Sequence, residues 1–313
     1  MQSPYSVRAW INGRKGQRPD LILPYPARVR GISKGVLCIA AAAFLFSITT
    51  LLVKFAGKRL PASELVMARS VVGVAMGYWM LRAVRVSPWG NRKRLLMFRG
   101  IAGFVALLCF FWSLARLPLA EATVLFYMSP AFSAVLAAAA LRERLSPWEI
   151  TGTAVSLIGV AFVAQPEFLF GGVAHGHSLA AIAVGLLGAV MGGCAYVTVR
   201  KLRETEHHLT VVFYFPLVSV IACAPVLASE VLVPTPTEWL LLIGIGVLTQ
   251  FAQIYLTKGL SLEKTAKAMS ASYLQIVFAA LWGFTFLAEI PNVLCILGAI
   301  MIIAGTIMTT SGS

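Results

Sequence analysis

Gly35-Val-Leu-Cys-Ile-Ala-Ala-Ala-Ala-Phe-Leu-Phe-Ser-Ile-Thr-Thr-Leu-Leu-Val-Lys-Phe-Ala56 carries a single charge, Lys54. At about 1.5 Å per residue such a run is about 33 Å long as a helix, enough to cross the ~30 Å hydrocarbon layer of a bilayer. Nine more apolar runs follow, near 62–81, 95–115, 119–141, 148–164, 178–199, 209–228, 237–257, 265–287 and 291–309. The expected fold is an all-α membrane protein of ten transmembrane helices. Helix-start signals support the boundaries. Ser146-Pro147-Trp148-Glu149 and Thr235-Pro236-Thr237-Glu238 both have the form of a capping box with proline at the first helical position. Trp89, Trp148 and Trp239 fall near helix ends, where an indole sits well among headgroups.

The composition agrees. Of 313 residues, 59% are hydrophobic and 12% charged, against about 25% charged in a soluble domain. The mean hydropathy is +0.84. A net charge of +14 raises nucleic acid as a partner. The placement of the charges argues against it, because they sit in an N-terminal arm and in short loops, without a phosphate loop or an aromatic-basic motif. The five cysteines, Cys38, Cys109, Cys194, Cys223 and Cys295, each lie in an apolar run, and read as small buried residues. His175 and His177 fall on one side of the expected bilayer and His207 and His208 on the other, so no metal site or other cofactor is expected.

Charge also orients the helices. With a cytosolic N-terminus, 20 Lys and Arg lie in cytosolic segments and 3 outside, a strong positive-inside bias. An even helix count brings the C-terminus to the cytosol too. Residues 1–34 are read as a basic, disordered cytosolic arm. They lack the apolar stretch of a signal peptide, and prolines at 4, 19, 24 and 26 disfavour an amphipathic targeting helix. The cell (inner) membrane is the expected location, with an organelle membrane as the second reading.

The two halves repeat. A shift of 146 lays residues 35–160 on 181–306 without a gap, matching Tyr127 with Tyr273, Phe132 with Phe278, Gly152 with Gly298, Gly159 with Gly305 and Glu143 with Glu289. Repeats of five helices invert in the membrane. Loop 82–94 accordingly carries five positive residues and its counterpart 229–236 none. The units are the arm 1–34, a first repeat 35–164, a linker 165–177, a second repeat 178–309 and a tail 310–313. Inverted repeats are an architecture of alternating access, with the solute site near the midplane between them.

The stretch Ala115-Arg-Leu-Pro-Leu-Ala-Glu-Ala-Thr-Val-Leu-Phe-Tyr-Met-Ser-Pro130 resembles the EamA-like family of the drug/metabolite transporter superfamily. So do Arg142-Glu-Arg-Leu145, Gly152, Gly159 and the run Glu64-Leu-Val-Met-Ala-Arg69. The resemblance covers nearly everything after residue 34. The second half is looser, with Gln275-Ile276 where the first has Ser129-Pro130. It implies a ten-helix fold, a central cavity between the repeats, and secondary transport or export of a small organic metabolite.

Several polar residues inside the apolar runs are candidates to bind the solute. Arg69 stands about six residues into the second run and is the sharpest, since a charge at the bilayer centre costs about 2.5–3.5 kcal/mol. An ion pair with Glu64 is awkward, because five residues place the two about 140° apart around the helix. The lead reading is that Arg69 favours an anionic cargo. Arg99 lies one turn into the third run, beside Arg92-Lys93-Arg94, and is expected to snorkel to the cytosolic headgroups. Gln250 and Gln253 share a face of the eighth run, as do Ser272 and Gln275 on the ninth with Tyr273 beside them; they are expected to line the pathway. In the fourth run Tyr127 and Ser129 precede Pro130, which frees the carbonyl of Phe126 and either kinks the helix or opens its backbone to a cavity. Thr50 and Tyr196, equivalent under the shift, complete the set. Trp112 and Trp282 are expected to pack, and the paired glycines to let helices approach closely.

The function expected is a secondary transporter or exporter working by alternating access in the lipid bilayer, as a monomer or homodimer. A channel-like facilitator is the alternative, and a membrane enzyme a weaker one. A filter of charged rings is not seen, and the acids are Asp20 and eleven Glu, nearly all at helix ends, which disfavours catalysis.

Overall fold

The structure, a computed structural model, describes residues 33–114, 116–117, 119–166, 179–227, 232–287 and 291–311. The basic arm up to residue 32, nearly all of the central linker, Glu289, His175, His177 and the last two residues lie outside this set. Every described element is helical. In chain order they are α1 (Lys34–Ala56), α2 (Ala62–Ala83), α3 (Lys93–Leu114), α4 (Leu119–Phe126), α5 (Ser129–Leu141) and α6 (Pro147–Ala164). The second half holds α7 (Leu179–Leu202), α8 (His208–Leu227), α9 (Pro236–Leu262), α10 (Thr265–Ser270), a 3-10 turn (Ala271–Tyr273), α11 (Leu274–Leu287) and α12 (Val293–Ser311). Nine segments among the described residues are long and apolar enough to cross a bilayer, and a further apolar helix, His208–Ala224, is shorter.

Local chemistry sets where the helices begin and break. Both capping boxes form, at Ser146 with Glu149 and at Thr235 with Glu238, each satisfying backbone N–H groups that a helix start leaves open. The fourth run is broken at Tyr127 and Met128 into α4 and α5. Pro130 has no N–H to give Phe126, and the Ser129 hydroxyl donates to that carbonyl instead, at 2.8 Å. The freed carbonyl is therefore satisfied locally, which corrects the reading that opened it to a cavity. The equivalent break after α10 has no proline. There the hydroxyls of Ser270 and Ser272 donate to the carbonyls of Lys267 and Met269, at 3.0 and 2.6 Å, and such bonds compete with the helical ladder. Tyr127 and Tyr273 sit at the two breaks with ring centroids 6.4 Å apart.

Packing repeats with the sequence. The most extensive contacts pair α6 with α12, α1 with α9, α3 with α7 and α2 with α8. Exchanging the halves turns α1–α9 into α7–α3, and turns α2–α9 into α8–α3; all of these contacts are present. The correspondence holds at single residues. A Cβ on Gly100 would stand 2.8 Å from Val218, and one on Gly246 would stand 2.5 Å from Val72, with each residue 146 from its counterpart. Between α6 and α12 the backbones touch directly, as expected for the paired glycines. A Cβ on Gly159 would lie 2.7 Å from the carbonyl oxygen of Gly298, and one on Gly152 2.6 Å from that of Gly305.

The two ends of the bundle are tied differently. At the end rich in Lys and Arg, the Glu143 carboxylate accepts from Arg200 Nε and from the backbone N–H of Thr265, both at 2.9 Å. Arg200 also donates to the carbonyls of Leu260 and Ser261. One carboxylate of the first half thus joins the C-terminal end of α7 to the start of α10. Next to it lies the largest buried apolar cluster, with Ile39, Leu81, Leu96, Leu202, Leu260 and Met269 contributed by both halves. At the opposite end Arg59 pairs with Glu238, Nε to Oε1 at 2.8 Å, and Gln165 and Asn292 exchange amide hydrogen bonds of 2.7 and 2.8 Å.

Candidate solute-binding site

The polar centre of the bundle is organised around the ring of Phe215 on α8. The guanidinium carbon of Arg69, from α2, lies 5.5 Å from the ring centroid, and that of Arg99, from α3, lies 5.0 Å from it. Arg69 is about 10 Å along α2 and Arg99 about 9 Å along α3, and these helices run in opposite directions. The two side chains therefore reach the ring from opposite ends, which puts it near the middle of the membrane-spanning layer. Phe215 is 146 residues from Arg69, so Arg69 faces its own repeat equivalent.

Arg99 does not snorkel, contrary to the expectation from its basic neighbours. It is 3% exposed and its Nη2 donates to Gln253 Oε1 at 3.1 Å, while its Nε has no acceptor. The cause is Gly103, one turn on and on the same face. A Cβ there would stand 3.0 Å from the Phe215 ring and 3.2 Å from Arg99 Nη1. The glycine lets α3 close on α8, and the guanidinium is enclosed between them. Arg69 is partly exposed and makes no hydrogen bond or ion pair with a described residue. Glu64 is buried, with one carboxylate oxygen lacking a partner, and does not pair with Arg69.

Magnitudes separate the two arginines. Each charge in the layer costs about 2.5–3.5 kcal/mol. A desolvated cation–π contact returns about 2 kcal/mol or more. Arg99 adds a hydrogen bond to a charged group worth about 1.5–3 kcal/mol, offset in part by its buried Nε without an acceptor. Arg69 has no such bond among the described residues, so its fork is open to an anion.

The other candidates fall into place around this centre. Gln250 and Gln253 share a face of α9, as their spacing requires, but only Gln253 meets Arg99. Gln250 is 3% exposed and packed on α2, its amide atoms 3.2 and 3.3 Å from where Cβ atoms on Gly73 and Gly77 would be. Tyr196 on α7 is partly buried and packs against the large apolar cluster. Tyr273 is fully buried against Val160, Ile276 and Ile302. Ser129 is buried, where a Cβ on Gly192 would lie 2.8 Å from its hydroxyl. Ser272 and Gln275 are partly exposed. Thr50 is exposed, donates to Phe46 O within its own helix at 3.0 Å, and does not join the cluster. Trp282 packs between the halves as expected, donating to Ser47 Oγ at 2.9 Å. Among the described residues no His, Cys, Asp and Glu side chains group as metal ligands.

Exposure gives a direct test of the amides on α9 and α11. With the native cysteines replaced, Gln275→Cys is expected to react with a small water-soluble thiol reagent, and Gln250→Cys at least tenfold more slowly in the state described. Equal rates at the two positions would mean the α2–α9 contact is not closed.

A repeated helical bundle that keeps arginines and amides inside an apolar layer defines a multi-pass integral membrane protein of the transporter class. The chain belongs to the EamA-like transporter family, which matches it twice, over residues 33–165 and 179–311. It is 35% identical over 277 residues to the pseudopaline exporter CntI of Pseudomonas aeruginosa (strain UCBPP-PA14), covering 88% of this chain and 95% of the exporter. It is 27% identical to the human solute carrier family 35 member G1, over 87% of this chain and 78% of that one. It is 28% identical to a probable transport protein of Saccharomyces cerevisiae, over 74% and 71%. A solved structure superposes with a TM-score of 0.79 at 19% identity, covering 88% of this chain and 95% of that one, and so shares the fold.

Proposed function

We propose that the protein is a secondary transporter that exports a small anionic metabolite by alternating access, through ten helices built as two inverted repeats with both termini cytosolic. The observation that carries the cargo class is Arg69, a partly exposed guanidinium beside Phe215 that has no acceptor among the described residues. Guanidinium keeps its charge when dehydrated and binds planar oxyanions through two parallel bonds. Export is favoured by the relative named as an exporter. Alternating access is supported by the asymmetry of the ends. The positive end is closed by the large apolar cluster and by Glu143, and the opposite end holds smaller clusters. With the positive end cytosolic, opening toward that side would break the Glu143 bonds to Arg200 and Thr265.

Two experiments test the reading. An untargeted comparison of metabolites inside and outside cells, with and without the gene, is expected to show an anionic compound retained inside when the gene is absent. No difference in any anionic compound counts against the cargo class. Reporter fusions after residues 170 and 313 are expected to lie on opposite sides of the membrane, and finding both on one side would overturn the topology.

A further inference from the structure

We propose that Arg69 and Arg99 form one paired cation site, sharing the Phe215 ring, that takes a solute bearing two oxyanion groups, carboxylates in the first instance. The inference rests on the reading of an anionic cargo and goes beyond it in naming the second charge and the second arginine.

Both guanidinium carbons lie within 5.5 Å of one ring centroid, so they are no farther apart than twice that distance. No acidic side chain among the described residues bonds either of them. Like charges this close in a layer of low dielectric repel, and each keeps its proton because guanidinium does not give it up. A monoanion neutralises one arginine and leaves the other. A dianion with its groups a few ångströms apart neutralises both. The donors needed are present. Arg69 has no acceptor on its fork among the described residues. Arg99 gives one Nη2 bond to Gln253 and keeps a buried Nε with no acceptor. Gln253 thus fixes the plane of Arg99 and leaves its remaining N–H groups for a ligand.

The test uses the purified full chain in lipid nanodiscs at fixed ionic strength, with binding read by thermal shift across concentration series. The probes are succinate, glutarate, succinamate (the same carbon skeleton with one carboxylate made an amide) and inorganic phosphate. The expected result is at least tenfold tighter binding of a dicarboxylate than of succinamate, with that preference lost in Arg99→Gln and partly retained in Arg99→Lys. Succinamate affinity is expected to fall by a smaller factor than dicarboxylate affinity in Arg99→Gln. The comparison within the unmodified protein keeps the test valid should a variant not fold. Equal binding of succinate, glutarate and succinamate overturns the paired site and leaves the anionic-cargo reading standing. No binding of any probe overturns both. Phosphate binding tighter than every carboxylate overturns the carboxylate assignment.

Discussion

Arg69→Gln is expected to reach the membrane at normal levels and to transport an anionic cargo at least tenfold more slowly than the unmodified protein. Charge-assisted hydrogen bonds are worth about 1.5–3 kcal/mol each, and every 1.4 kcal/mol is tenfold in an equilibrium constant. Arg69→Lys keeps the charge and loses the planar fork, so it should fall between the two. The prediction turns on what the arginine lacks. It makes no hydrogen bond or ion pair with a described residue, and it has only the Phe215 ring for compensation. Its removal takes away no bond that holds helices together, which is why folding is expected to survive. An arginine that supported the fold would instead lower the amount of inserted protein. The measurement is efflux normalised to membrane-inserted protein, and near-normal efflux by Arg69→Gln would remove Arg69 from the site.

Gly159→Leu is expected to have the opposite profile, with most of the inserted, folded protein lost. A Cβ at this position would lie 2.7 Å from Gly298 O and 3.0 Å from the backbone N of Ile302. Those atoms belong to the backbone of α12, which cannot rotate away as a side chain does. Overpacking commonly costs about 1–3 kcal/mol when side chains yield, and a backbone clash along the most extensive helix pair of the bundle should exceed that. Gly244→Leu is the control, since a Cβ there meets only Leu52 Cδ1, at 3.4 Å. Size-exclusion profiles of the two variants in detergent should separate cleanly, with Gly244→Leu monodisperse. A monodisperse Gly159→Leu at full yield would mean that α6 and α12 are not packed through their glycines.

Much of this architecture was legible without coordinates, because a bilayer imposes long apolar runs and a repeat imposes a constant offset. The Tyr127–Tyr273 equivalence and the capping boxes at Ser146 and Thr235 could be read from spacing alone, and each forms. The candidate site was legible in part. Arg69 and Gln253 were singled out as polar residues that an apolar run has no other reason to keep. Arg99 was misread, since the adjacent Arg92-Lys93-Arg94 made snorkelling the cheaper explanation. A signal was present in Gly103, as it was for Arg69 in Gly73: a glycine one turn beyond a charge marks a face that another helix approaches closely. Phe215 was missed although it is the residue equivalent to Arg69 under the shift of 146, and equivalent positions of two packed repeats can meet.

The sequence by itself determined the class of fold, the repeat and the side that carries positive charge, because hydropathy, offset and charge bias are properties of one chain read along its length. Only the tertiary structure decided which charges are enclosed. Whether an arginine reaches water or a ring depends on how closely a neighbouring helix stands, and that distance is set by small residues on two helices at once. Gly103 on α3 admits the ring of α8, and the ring then holds Arg99 on one helix and Arg69 on another. No single run of residues contains that arrangement.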